Sequence, residues 1–399
     1  MAFHVRHPVW ISAAPAKAAW AFALLFLLES IARASVATVI PIHAYDLFRT
    51  KENVSWLYTS VSLVALALSF AIPFMIRGLS RRWSYTVGAF SIAACGLLLA
   101  TDSPFGQGLG MLARTFGAAT LNITLNLYIM DYIAKTELVR SEPLRYAVST
   151  VAWMLAPLAG VWLYTAYGVW TAAILPVSGS LALLATFWYL RLSEKGPIRP
   201  AKSLPPNPFA FIGRFAAQPR LRLAWFIAFA RSAFWVTFFI YVPILMVEGK
   251  MGALAGGWAI AAGNAMLLNN LLVTGWARRY SLRMMIAVAF AGGAVFTAIT
   301  GMAGTARPVL AGAMMVGASF FVSMLDGLGP IPFLRAVHVH ERPQMTTVYR
   351  TYLDASELLP PFFYVFAFML FGFSGAFWVL SALLVVSAAM AWAWLPKRM

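Results

Sequence analysis

Of the 399 residues, 61% are hydrophobic and only 11% are charged, whereas a soluble domain carries about a quarter charged residues. A water-soluble core is excluded. The single cysteine, Cys95, excludes a disulfide framework or a cysteine metal site.

The apolar residues come in continuous blocks rich in Leu, Ala, Phe and Met, long enough to cross a bilayer at about 20 residues per helix. Hydrocarbon leaves only helices or a closed barrel to satisfy the backbone, and continuous blocks exclude the alternating strands of a barrel. Residues 1–15 are too polar for a signal segment and the block that follows is too long for one, so it is expected to be a retained span. Taken in order, the predicted spans are 17–41, 55–76, 85–100, 106–132, 146–167 and 170–190, then 223–247, 254–277, 284–303, 308–334, 347–372 and 374–394. Between the two sets, 191–222 is a polar, proline-rich connector. Its second part, 207–219, is expected to form a short interfacial helix that sets Phe209, Phe211, Ile212 and Phe215 against lipid. The expectation is an all-α membrane protein of twelve transmembrane helices in two pseudo-symmetric six-helix bundles: 1–190, a cytoplasmic linker 191–222, and 223–399.

Most of the 30 basic residues gather at the termini and on one set of loops, which places both termini in the cytoplasm. That placement accounts for the net charge of +17 without nucleic acid, since anionic headgroups neutralise much of it. A bacterial inner membrane is the expected location.

The two halves superpose with a shift of about 200 residues. Pro41-Ile42 matches Pro243-Ile244, Arg77 to Arg82 matches Arg278 to Arg283, Ala156-Pro157 matches Pro360-Pro361, and Tyr167 to Trp170 matches Gly375 to Trp378. In these features the chain resembles the major facilitator superfamily over nearly its whole length. Arg77 to Gly88 stand at the family's basic signature loop, Arg114 with Gly117 resembles its basic residue ahead of a glycine in span four, and Ala156 to Gly160 is a partial match to an antiporter motif. The acidic residue of the loop signature is replaced by Arg77 and Arg278, and its glycine by Ser80 and Ser281. The resemblance implies a secondary transporter working by alternating access, with spans one, four, seven and ten around a central cavity.

Ionisable groups at membrane depth are costly and are therefore functional candidates. Glu29 and Arg33 share a helical face in span one, and the repeat maps Glu29 onto Arg231 of span seven. Under the resemblance these two face each other across the cavity; the plainer reading is a Glu29–Arg33 pair within one helix. Asp326 opens a run with Gly327, Gly329, Pro330 and Pro332 that must kink or unwind span ten, freeing carbonyls beside a carboxylate. Asn122, Thr124 and Asn126 lie at the matching level of span four, and Trp235 leads an aromatic crowd in span seven. The expected solute and proton-coupling residues are Glu29, Arg33, Asn122, Asn126, Arg231, Trp235 and Asp326. In the family the loop acid meets span eleven, so the inverted signature suggests gate pairs Arg77–Asp354 and Arg278–Glu142, against a plain orienting role for the arginines. Asn264, Asn269 and Asn270 are read as interhelical hydrogen bonders. His338 and His340 alternate in a loop, which splays them apart and disfavours a metal.

No nucleotide, hydrolase or metalloprotease motif is present, so the energy source is an ion gradient or that of the solute. The reading is a monomeric, proton-coupled carrier of a small organic solute, with efflux preferred to uptake, requiring no cofactor and embedded in membrane lipid. A lipid or lysolipid carrier of the same fold, and a non-transporting receptor or assembly factor on a carrier scaffold, are the alternatives. An enzyme is not expected.

Overall fold

The computed structural model describes residues 15–132, 135–190, 208–269, 279–338 and 341–396, together with Val273 and Trp276; at 15–19, 77, 130–132, 135–144, 146, 208–210 and 342–344 it describes the backbone alone. Among the described residues every regular element is helical. In chain order these are α1 (Pro15–Ala34), α2 (Val39–Phe48), α3 (Lys51–Ser69), α4 (Ile72–Leu99), α5 (Pro104–Tyr132), α6 (Lys135–Tyr167), α7 (Ile174–Tyr189), α8 (Pro208–Ala216), α9 (Pro219–Glu248), α10 (Ala253–Ala265), α11 (Leu282–Ala303), α12 (Pro308–Leu328), α13 (Ile331–Ala336), α14 (Arg342–Phe371) and α15 (Ser374–Trp394). Eight stretches are long and apolar enough on their own to cross a membrane, and they coincide with expected spans one, five, six, seven, nine, ten, eleven and twelve. The other four fall on α3, α4, α5 and α10, whose length, charge or mean hydropathy leaves them short of that mark; α10, for example, has only 13 residues.

Contacts gather the chain into two units, residues 1–47 with 63–200, and residues 48–62 with 201–399. In the first unit α1 packs on α6 and α7, and α4 on α5 and α7. A Cβ added at Gly88 or Gly117 would meet the opposing helix, so bare glycines let α4 and α5 approach closely. The core of this unit centres on Tyr85, Tyr128 and Phe187, with Tyr85 stacked on Phe187 at 4.3 Å. In the second unit α11 packs on α12 and α15, and α9 on α14. The start of α3 belongs here: the Ser55 and Tyr241 hydroxyls are 2.7 Å apart, and Lys51 lies 3.5 Å from Glu248.

Positive φ recurs at several positions about 200 residues apart. Arg49 and Lys250 both have left-handed φ, 61° and 62°. So do Asp102 and Gly304 (50° and 51°) and Gly168 and Gly372 (96° and 59°), each pair about 200 residues apart. The repeat seen in sequence is thus present in the turns, even where the residues differ.

One expectation needs correcting. α8 does not set its aromatic residues against lipid. Phe215 is 5% exposed and packs with Leu221, Phe333 and Tyr349, Phe211 packs on the same cluster, and Arg214 pairs with Glu341. A helix of nine residues gains more from burying rings between α9 and α14 than from lipid, where apolar contact offers no net drive. Ile212 alone stays exposed, at 43%, and the Phe209 side chain lies outside the described residues.

Ser80 interrupts α4 with φ 67° and ψ 158°, a region that glycine occupies freely and other residues do not. This is the position at which the resembled signature has glycine. Its counterpart Ser281 is extended and caps α11 by accepting from the Met284 amide at 3.3 Å. Ser80→Gly is therefore expected to stabilise the protein by about 1 kcal/mol, the relieved strain exceeding the added chain entropy. Ser281→Gly should lower stability through loss of the cap. Thermal unfolding in detergent micelles checks both signs.

Candidate functional site

In the first unit the polar residues lie along one seam. α1 presents Phe26, Ser30 and Arg33 on one side, and α6 presents Arg145, Ser149 and Trp153 at four-residue spacing. The Arg145 guanidinium sits 4.6 Å over the Phe26 ring, the Ser30 and Ser149 hydroxyls are 3.2 Å apart, and Arg33 lies 5.6 Å over Trp153. Glu29 is fully buried beside this seam. It pairs with Arg33 at 3.5 Å, and neither carboxylate oxygen accepts a hydrogen bond. The buried Tyr85 hydroxyl, also without a hydrogen bond, lies within electrostatic reach of Glu29. Asn126 donates to Asn122 at 2.7 Å and accepts from Arg145 at 3.3 Å, which joins α5 to the same constellation. Arg145 stands one residue before the expected fifth span (146–167), where a basic residue reads in sequence as an orienting charge. Because α6 begins at Lys135, well before residue 146, it stands instead on a helical turn facing α1.

The first span is broken just beyond Arg33. α1 ends at Ala34 and α2 resumes at Val39. Both residues picked out by family resemblance meet this break. Arg114 donates from Nε to the Arg33 carbonyl at 3.3 Å, and a Cβ on Gly160 would fall on the Ser35 carbonyl. Gly160 is thus required for close passage of α6 over a turn in the first span.

In the second unit Arg231, Trp235 and Phe239 follow one another at four-residue spacing on the half-buried face of α9, while Phe234 and Phe238 fill the core. Arg231 donates to one oxygen of Asp326 at 2.6 Å, and the Trp235 indole donates to the other at 3.1 Å. Arg231 also donates to the Tyr352 hydroxyl of α14 at 3.3 Å. The span carrying Asp326 breaks as its composition predicts: α12 stops at Leu328 and α13 starts at Ile331. Pro330 and Pro332 cannot donate, so the carbonyls of Asp326 and Leu328 receive no helical hydrogen bond. Within each unit the charged partners are Glu29 with Arg33, the pair within one helix that the plainer reading gave, and Arg231 with Asp326. One equivalence survives at the neighbouring position: Ser30 bonds to Ser149 of α6, and Ser232 accepts from Ser356 of α14 at 2.8 Å.

Of the gate residues, Asp354 is half-buried with the charge of Arg350 acting on it. Arg278 and the side chains of Arg77 and Glu142 lie outside the described residues, as do Asn270 and His340. Asn269 bridges to the Phe320 carbonyl of α12 at 3.2 Å, an interhelical role as expected. A further polar cluster went unnoticed in sequence. Buried His43 has Nδ1 2.7 Å from Gln107 Oε1 and Nε2 3.0 Å from Asp102 Oδ1. Gln107 donates to the Ile40 carbonyl at 3.0 Å, which turns its oxygen toward the histidine. A lone histidine near a span end carries no pattern to flag it.

The family model for the Major Facilitator Superfamily matches residues 22–357. The chain belongs to the major facilitator superfamily. It is a multi-pass membrane transporter, and solved structures share its fold. The nucleoside transporter NupG aligns with a TM-score of 0.75 at 13% identity, over 94% of this chain and 98% of that one. A D-xylose-proton symporter aligns with a TM-score of 0.74 at 11% identity, over 95% and 98%. A bacterial homologue of the human lysosomal transporter Spinster, inward-facing and occupied, aligns with a TM-score of 0.68 at 14% identity, over 94% and 96%. At these identities the likeness is one of fold. No curated protein matches the sequence.

Asp326→Leu should destabilise the protein by about 3 kcal/mol by leaving Arg231 buried without its anion. Arg231→Met added to it should recover most of the loss. A double-mutant cycle on denaturant unfolding in micelles measures the coupling, and additive losses would show that the pair contributes nothing jointly.

Proposed function

We propose that this transporter is a proton-coupled carrier of a small organic solute bearing an acidic group and an apolar or aromatic part. The observation that carries the reading is the Asp326 carboxylate, held at a break in its span by Arg231 and Trp235 from one face of α9. In the resting pair the two charges neutralise each other. A proton on Asp326 ends the ion pair and frees the planar guanidinium fork for a carboxylate or phosphate of the solute. Loss of that proton re-forms the pair and displaces the solute, so proton and solute are coupled through one cation. Trp235 and Tyr352 flank Arg231 and supply aromatic surface for the rest of the molecule. Glu29, with Arg33, Asn122 and Asn126, is the second acidic site, in the other half.

The wider arrangement belongs to the same proposal: bundles 1–190 and 223–399 joined by a cytoplasmic linker, both termini cytoplasmic, a monomer in a bacterial inner membrane, and gate pairs Arg77–Asp354 and Arg278–Glu142. On sequence grounds the Ala156 to Gly160 segment and the aromatic span seven favour efflux; because proton and solute bind together in this mechanism, it runs as symport, and an inward proton gradient drives uptake. The proton-coupled symporter of the same fold supports the coupling.

The test begins with a thermal-shift screen of acidic metabolites, nucleosides, peptides and amphipathic drugs, followed by proteoliposome transport of each hit under an imposed pH gradient. One proton crossing 100 mV supplies about 2.3 kcal/mol. Asp326→Asn is expected to abolish gradient-driven accumulation while leaving solute exchange intact, and Arg231→Lys should weaken binding at least tenfold. Gradient-driven transport at the wild-type rate in Asp326→Asn would end the proposal.

A further inference from the structure

Outside the charged site, the second unit has a groove of about 950 Å³ between α8, the start of α9, α14 and the end of α15. Its walls are apolar, with Phe215, Trp225, Phe226 and Trp394 contributing rings. Trp225 is already satisfied: its indole donates to Thr351 at 3.0 Å and its ring stacks on Phe229 at 5.4 Å, so it offers the groove only carbon. At the rim stand Arg220 and Arg222, both exposed. Neither has an acidic partner among the described residues. Among the acids of this unit, Glu341 is paired with Arg214, Glu52 and Glu248 with Lys51 and Asp326 with Arg231, and Asp354 has the charge of Arg350 acting on it.

Position settles what kind of molecule can reach it. One membrane span begins at Pro219 and another ends at Trp394, so the groove lies where these spans leave hydrocarbon. An occupant there must bring apolar bulk to the rings and negative charge to the arginines at the headgroup level. The segments of the chain that flank the groove do not supply that charge. Residues 191–207 carry Arg191, Lys195, Arg199 and Lys202 against Glu194, and the C-terminus carries Lys397 and Arg398, so both would repel the rim. We propose that this groove is a binding site for an anionic phospholipid of the leaflet on the linker side, its phosphate on Arg220 and Arg222 and an acyl chain along the aromatic wall. Basic pockets between spans take acidic headgroups by this combination of charge and depth. The site adjoins the transport site through α14, where Thr351 lines the groove and the next residue, Tyr352, holds Arg231. It does not depend on which solute the carrier moves.

The experiment uses delipidated full-length protein in a neutral detergent, with dioleoyl phosphatidylglycerol, dioleoyl phosphatidylcholine or glycerol 3-phosphate added, and reads the melting temperature and native mass spectra. The expected result is a melting temperature raised by several degrees by phosphatidylglycerol alone, with a discrete bound lipid in the spectra. Arg220→Gln with Arg222→Gln should leave the lipid-free melting temperature unchanged and abolish both effects. Phe226→Gln should weaken the lipid effect while glycerol 3-phosphate stays inert. An equal response to phosphatidylcholine, an equal response in the arginine variant, or full stabilisation by glycerol 3-phosphate would each overturn the assignment. The last of these would mark a free-anion site instead.

Discussion

Hydrocarbon gives a peptide group nothing to bond to, so a chain that crosses it must stay helical or supply substitutes wherever the helix fails. Both sets of candidate residues lie at such failures. The first span parts between Ala34 and Val39, one turn beyond Glu29, and there Arg114 reaches the Arg33 carbonyl. The tenth parts after Leu328, two residues beyond Asp326, where prolines withdraw their donors. Breaks concentrate exposed carbonyls, and exposed carbonyls make a setting in which a charged side chain is less costly. Broken backbone and ionisable residue thus belong together, each making the other tolerable at depth.

The same constraint explains why partners are local. A guanidinium in a low-dielectric bundle needs its counter-charge at contact distance, and Arg231 finds Asp326 at 2.6 Å within its own unit. Glu29 is held less well, at 3.5 Å from Arg33 with no hydrogen bond to either oxygen. The two acids therefore differ in kind, Asp326 held by two donors and Glu29 with no hydrogen bond to either oxygen.

Much of the fold was legible because hydropathy reports directly on the solvent. The span expected at 374–394 is α15 to the residue, and that at 223–247 falls within α9, which a proline at its first position starts a turn earlier. The break after Asp326 was legible because glycine and proline act locally. The partner of Arg231 was not, since 95 residues separate it from Asp326 and no alignment links the two. Arg145 was misjudged for a related reason: a basic residue at a predicted span end reads as an orienting charge until the helix proves long enough to turn it inward. The aromatic residues of α8 were assigned to lipid because an amphipathic segment looks the same whether its apolar side meets acyl chains or a neighbouring helix.

The positive-φ turns bear on how two halves of one chain can follow the same backbone course while their side chains differ. Asp102 and Gly304 share no chemistry, yet their φ values differ by a single degree, and Arg49 and Lys250 agree as closely. What recurs at these positions is a positive φ at a turn that returns the chain between adjacent helices. Side chains differ around it, an acid at Glu29 against an arginine at Arg231, each beside a serine that bonds to a serine of a neighbouring helix. A transporter built from two such halves can carry unlike charges in each, because the turns that shape the halves do not depend on the charges between them.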